Sequence, residues 1–228
     1  MARLAMVIDT TLCVGCADCV VACKTENDVP EGFCRDWIVE QVAGAFPSAR
    51  LEIRSERCNH CDHPPCVGCC PTGASHVHQP GAVVLVDKQK CIGCKACIAS
   101  CPYDARFVHP QGHVDKCTFC IHRVERGQLP ACVSVCPTRC MHFGDLDDPE
   151  SGVARLLRSR RHHELLPAAG TGPRVIYLSS THPAGGGTAG SAGAWACDPG
   201  SRVCTGAAPP LRSGPEGPTP PSSLRLLS

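Results

Sequence analysis

The residues in this sequence whose spacing allows chemistry are cysteines. The stretch Cys91-Ile92-Gly93-Cys94-Lys95-Ala96-Cys97-Ile98-Ala99-Ser100-Cys101-Pro102 sets three thiols at two-residue gaps, a fourth after a three-residue gap, and a proline directly behind it. Three thiolates at that spacing wrap a tight loop over one face of an iron–sulfur cube, and the fourth reaches a second cube. Gly93 relieves crowding where the backbone approaches closely. Pro102 has no N–H and biases Cys101 toward an extended conformation, so the chain turns there. The spacing places Cys101 beyond the loop, near the start of a helix and pointing away from the other three.

Three further runs follow the same logic. Cys13, Cys16, Cys19 and Cys23 repeat the spacing, with Lys24 in place of the proline. Cys58, Cys61, Cys66 and Cys70 have a wider central gap holding Pro64-Pro65, and Pro71 follows. Cys117, Cys120, Cys132 and Cys136 have a long gap, Ile121 to Ala131, and Pro137 follows. That gap is free to loop out from its metal site toward a partner. In the ferredoxin rule each run lends its fourth cysteine to a paired run. Adjacent runs two and three pair, and runs one and four enclose them. This gives four 4Fe–4S ligand sets: Cys13, Cys16, Cys19 and Cys136; Cys117, Cys120, Cys132 and Cys23; Cys58, Cys61, Cys66 and Cys101; Cys91, Cys94, Cys97 and Cys70.

Competing readings are weaker. Structural zinc uses two C-x2-C pairs a dozen or more residues apart, and a compact run of three cysteines at two-residue gaps does not fit it; the fourth run alone, with its long gap, would pass for zinc, but its company favours iron–sulfur. Disulfides do not suit neighbouring thiols that face one centre. Cys70, not Cys69, keeps the three-residue spacing and precedes proline. Cys34 and Cys140 read as spare buried thiols, and Cys197 and Cys204 take no role. His60, His63, His76 and His78 cluster around the second run, but no cysteine is missing there for a histidine to replace. They are assigned to the surface or to the surroundings of a cluster. Lys24 and Lys95 adjoin ligands and are candidates for raising a cluster potential, because a cation favours the more negative reduced form. No Ser–His–Asp set, Walker loop or dinucleotide fingerprint is present. The chemistry is electron movement, without a catalytic residue.

Composition sets the frame. Among 228 residues there are 21 cysteines, an odd number, and only 4% aromatics. An ordinary core would be thin, so inorganic clusters must fill part of the interior and folding is coupled to their insertion. The formal charge of +1 argues against a nucleic-acid binder. No apolar run approaches the ~18 residues of a membrane span. The first thirteen residues have no apolar core or paired arginines, so a signal peptide is not expected.

The elements that must position the ligands recur. Val7-Ile8-Asp9 and Val84-Leu85-Val86-Asp87 each precede a cluster run by four residues, giving strand, loop and helix twice over. Residues 24–57 form a connector, in which Trp37–Val42 and Arg50–Arg54 alternate as a hairpin across Gly44 and Pro47. Asp148-Pro149-Glu150 reads as the start of a basic amphipathic helix from Val153 to Leu166, carrying Arg155, Arg158, Arg160 and Arg161. Val175–Leu178 reads as a last strand. Residues 185–228 are rich in Gly, Ala, Ser and Pro and read as a disordered tail.

Several segments carry a resemblance: Ala5–Asp9, Cys58–Cys61, Cys70–Ser75, Cys101–Arg106, Lys116–Cys120 and Phe143–Leu146. With the order and gaps of the four runs, they resemble the iron–sulfur electron-transfer subunits of molybdopterin oxidoreductases. These include dimethyl sulfoxide, tetrathionate, thiosulfate and polysulfide reductases, and the polysulfide reductase beta subunit is the nearest in look. The resemblance spans residues 3 to about 180. It implies a non-catalytic subunit whose four 4Fe–4S clusters form a wire between a molybdopterin catalytic subunit and an integral membrane quinone-binding subunit. In the nitrate reductase branch a tryptophan replaces one cysteine of the third run; here Cys94 stands there, so four full cubes are implied. The location implied is peripheral to the inner membrane, on the periplasmic side through co-export with the catalytic partner, with the cytoplasm as the alternative. A free soluble polyferredoxin shuttle is the competing function, and it gives no reason for the long connector.

The fold class expected is α+β, with two ferredoxin-like modules, one inserted in the other. The outer module takes residues 1–57 plus 112–150 and the inserted one 58–111. Residues 151–184 form a basic helix and docking extension, and 185–228 the tail.

Overall fold

The computed structural model describes residues 2–178. The expected tail, with Cys197 and Cys204, lies outside them.

The chain begins with β1 (Leu4–Asp9), α1 (Asp18–Glu26) and the long strands β2 (Asp36–Ala43) and β3 (Arg50–Arg57). Then come α2 (Pro65–Gly68), β4 (Ser75–His78), β5 (Val83–Val86), α3 (Ala96–Ala99), β6 (Phe107–Val108) and β7 (Val114–Asp115). The last part holds α4 (Ile121–Val124), α5 (Ala131–Val135), β8 (Met141–Asp145), α6 (Gly152–Ser159), β9 (His162–Glu164) and β10 (Val175–Leu178).

A four-stranded sheet in the order β8-β1-β10-β9 ties the two ends of the described chain together. β1 is interior to it, antiparallel to β8 and parallel to β10. That position explains its unbroken apolar run: Ala5, Met6, Val7 and Ile8 are fully buried. The expected last strand forms as β10, which lies between β1 and β9 and is buried along its whole length. The predicted hairpin forms, with Asp36 opposite Arg57 at its base and Ala43 opposite Arg50 at its tip. β4–β5 and β6–β7 make two smaller antiparallel pairs. The content is mixed helix and strand, as an α+β reading requires.

Three expectations need correction. First, α6 is capped by Ser151, whose Oγ accepts from Ala154 N–H at 3.1 Å. Asp148 instead closes a turn, accepting from Glu150 N–H at 2.9 Å. The helix stops at Ser159, since Arg160 turns extended to pair with the Asp9 carboxylate and His162–Glu164 then joins the sheet beside β10. Arg160 and Arg161 are therefore off the helix, whose Val153 and Ala154 pack inward while Arg155 and Arg158 face solvent. Second, the gap in the fourth run does not loop out. Glu26 on α1 accepts from Arg123 Nη1 at 2.7 Å and lies 2.8 Å from His122 Nε2, which folds α4 back onto the body. Third, Cys101 follows the single turn of α3; its N–H donates to Ile98 O at 3.1 Å.

Candidate iron–sulfur centres

The loops of runs one and three share one backbone path. Gly15 and Gly93 have φ of +70° and +68°, and Ala17 and Lys95 both have +63° immediately before their helices. Two left-handed residues so close together tighten the chain so that thiols at two-residue gaps face one volume. Gly93 is required twice over, because a Cβ there would lie 2.4 Å from the carbonyl oxygen of Gly112.

The structure brings some members of the predicted quartets near one another across the sequence. Cys140 Sγ lies 3.4 Å from Cys136 Sγ and within electrostatic reach of Cys13, so the first run comes near the end of the fourth. Asn27 Nδ2 donates to both Cys23 and Cys120 at 3.7 Å. Cys61 lies within electrostatic reach of Cys58, Cys66 and Cys101. A concave pocket is lined by Cys70, Cys91, Cys94 and Cys97, with Thr72, Ser75 and Lys95 among its other walls. Cys69 is not on that lining; its Sγ sits 3.2 Å from Ser100 Oγ. Cys34 is buried and disulfide-bonded, so it is not the spare thiol expected.

Hydrogen-bond donors point at the sulfurs. Backbone N–H groups of Ser75, Ala105, Val114 and Phe119 donate to Cys70, Cys101, Cys91 and Cys117 at 3.3–3.5 Å. Such bonds favour thiolate over thiol. Burial opposes them and pushes Cys19, Cys61, Cys117 and Cys132 up to about 12. Filling these sites must therefore displace protons.

Charge provides the fit test. Arg57, Arg106 and Lys116 are no more than 2% exposed. Arg57 pairs with Asp36 at 3.1 Å. Arg106 donates to Cys66 Sγ at 2.8 Å and Ser75 Oγ at 3.0 Å, and its Nε and Nη1 have no partner. Lys116 Nζ donates to the carbonyls of Cys117, at 2.7 Å, and Val84. Cations this deep cost several kcal/mol unless an anion compensates them; Asp36 does so for Arg57, whereas Arg106 and Lys116 have no ion-pair partner among the described residues. A cube held by four thiolates is net negative, so the residues fit that group.

The lysines and histidines separate. Lys24 Nζ donates to the carbonyls of Phe33 at 2.5 Å and Pro30 at 3.2 Å, bracing the loop after α1. Lys95 lines the fourth pocket. His60 is fully buried, stacked 3.7 Å from Phe119, and its Nδ1 accepts from Val84 N–H at 3.2 Å. Burial and the surrounding cations keep it neutral. His63 is exposed.

Residues 49–146 match the family model described as a 4Fe-4S dicluster domain. Over 179 residues the chain is 44% identical to Protein NrfC of Escherichia coli, covering 77% of this chain and 80% of that one. It is 42% identical over 181 residues to a tetrathionate reductase subunit of Salmonella typhimurium, covering 77% and 72%. The arsenate respiratory reductase iron-sulfur subunit ArrB of a Shewanella strain is 36% identical over 227 residues, covering 78% and 97%. The fold and its thiol sites thus define a ferredoxin-type 4Fe–4S protein. The chain belongs to the family of iron–sulfur beta subunits of molybdoenzyme-type reductase complexes, in which it transfers electrons and is not the catalytic subunit.

The spacing argument missed Asn27, Asp36, Arg57 and the buried roles of Arg106 and Lys116. Arg57 and Lys116 each stand directly before a ligand, Cys58 and Cys117, and that adjacency was the available signal.

Proposed function

We propose that the chain carries four 4Fe–4S clusters and relays electrons between a quinone-linked membrane subunit and a molybdopterin catalytic subunit. The ligand sets are the four quartets predicted from spacing, held in an outer module of residues 1–57 and 112–150 and an inserted module of 58–111, with 151–184 as a docking extension. The observation that carries this reading is where solvent reaches the sulfurs. Of the sixteen proposed ligands only Cys16 and Cys94 are exposed. They fall in the first and last sets, beside Val14 and Ile92, which are 62% and 69% exposed. The two sets between them are wholly or largely buried. That is the arrangement of a path with two ends.

The named tetrathionate relative favours a sulfur-compound, polysulfide-like reductase as the parent enzyme. No helix of the described chain is long and apolar enough to cross a membrane, and the reading assigns that crossing to a separate quinone-binding chain. The location proposed is peripheral to the inner membrane on the periplasmic side, reached with the catalytic partner.

Anaerobic isolation of the complex from its native membrane tests the reading. The expected result is co-purification with a molybdenum-containing chain and an integral membrane chain, with quinol bleaching the cluster absorbance. A protein that purifies alone and is not reduced by quinol would replace the reading with a soluble shuttle.

A further inference from the structure

Among the described residues four cations are no more than 2% exposed. Arg174 is held by the carbonyls of His60, Leu4 and Gly81 and lies 3.4 Å from Asp62; each of the other three stands where two successive ligand sets meet. Between the first and second, Arg57 Nη1 donates to Cys132 Sγ at 3.1 Å, while its Nη2 hydrogen-bonds Ser55 Oγ, itself 3.7 Å from Cys19 Sγ. Between the second and third, Lys116 holds the carbonyl of Cys117 and lies within electrostatic reach of Cys58 and Cys66. Between the third and fourth, Arg106 donates to Cys66 Sγ at 2.8 Å and lies within electrostatic reach of Cys97. Two of Arg106's nitrogens are fully buried without a partner, and among the described residues neither the Arg106 guanidinium nor the Lys116 ammonium forms an ion pair; only the Lys116 backbone N–H reaches a carboxylate, that of Asp115, at 2.8 Å. Packing alone does not explain a charge in each of three junctions, since an apolar side chain of similar volume would cost less.

We infer that Arg57, Lys116 and Arg106 are positioning residues for electron transfer, one in each gap, each stabilising the reduced state of the two clusters that flank it. The inference rests on the four-cluster reading above. A fixed cation between two sites favours the extra electron on either one, so it raises both potentials together. Lys95, on the pocket wall, bears on one cluster only.

The consequence is a pairwise pattern that a merely structural role would not produce. In the anaerobic, cluster-loaded protein, R106Q lowers the midpoint potentials of the third and fourth clusters and leaves the first and second unchanged. K116Q lowers the second and third. The expected effect is a tenfold or larger change in the oxidised-to-reduced ratio at a set ambient potential, which is about 59 mV for a one-electron couple. R106K and K116R, which keep the charge, stay at wild-type potentials. Redox titration followed by EPR reads each cluster separately. An unshifted R106Q, or an equal shift in all four clusters, overturns the inference. Should R106Q fail to hold its clusters, R106K decides: retention at wild-type potentials supports the charge, and loss assigns Arg106 to packing. Wild-type iron and sulfide content is measured alongside. Fewer than four cubes there refutes the four-cluster reading itself, whereas four cubes without the pairwise pattern refute this inference alone.

Discussion

Three glycines in left-handed conformations give a graded test of how tightly the cluster loops are built. Gly15, Gly93 and Gly112 have φ of +70°, +68° and +88°. Replacing each with alanine costs the left-handed penalty of about 1–2 kcal/mol. Space separates them. A Cβ at Gly112 meets nothing within 4 Å, so that penalty is the whole cost. At Gly15 it approaches Ile53 Cγ2 at 3.2 Å, the end of a side chain that yields by a few tenths of an ångström. At Gly93 it lies 2.4 Å from Gly112 O, about 1 Å inside ordinary contact. That oxygen cannot easily retreat, because its turn is pinned by Gly112 N–H to His109 O and His109 N–H to His113 O, both 2.8 Å. Overpacking of this kind adds about 1–3 kcal/mol. The expected order of destabilisation is G112A, then G15A, then G93A, the last losing about 2–5 kcal/mol. Anaerobic urea denaturation followed by far-UV circular dichroism measures it. The G93A loss is accompanied by selective depletion of the fourth cluster's EPR signal. G93A no less stable than G112A would refute the reasoning.

Other perturbations follow from single contacts. C70A loses the fourth cluster while C69A keeps all four, checked by iron content and EPR, because Cys70, and not Cys69, lines that pocket. N27A removes donors to Cys23 and Cys120 and lowers the potential of the second cluster alone in a redox titration. For Asp9, burial pushes the carboxyl up, but hydrogen bonds from Thr11 and Arg160 outweigh it and hold it below its ordinary value. A depressed carboxylate contributes stability above its unfolded pKa and loses it as pH falls through the folded one. The Tm gap between wild type and R160A is therefore full at neutral pH and narrows below about pH 4.

Local signals carried much of the architecture. Apolar runs ending in Asp marked β1 and β5, and alternation across Gly44 and Pro47 marked the β2–β3 hairpin. Cysteine spacing marked the loops that the left-handed Gly15 and Gly93 close. What stayed hidden is long-range. Nothing near Val175 says that β10 will run parallel to β1. The helix from Gly152 ends before its sequence pattern does, because its stop comes from Asp9, at the other end of the chain. The burial of His60 depends on Phe119 and on cations gathered from elsewhere in the sequence, so its neighbours in the chain do not announce it. Arg106 and Lys116 look like ordinary solvated side chains until the fold closes over them.

The central claim is that sixteen thiolates hold four cubes in one chain. Iron, acid-labile sulfide and zinc, measured on anaerobically prepared protein and set beside the summed EPR intensity of the fully reduced sample, test it most directly. Four cubes' worth of iron and sulfide per chain, with negligible zinc, is the result predicted. Two cubes' worth, or zinc in place of iron at the quartet containing Cys117, Cys120 and Cys132, would contradict it.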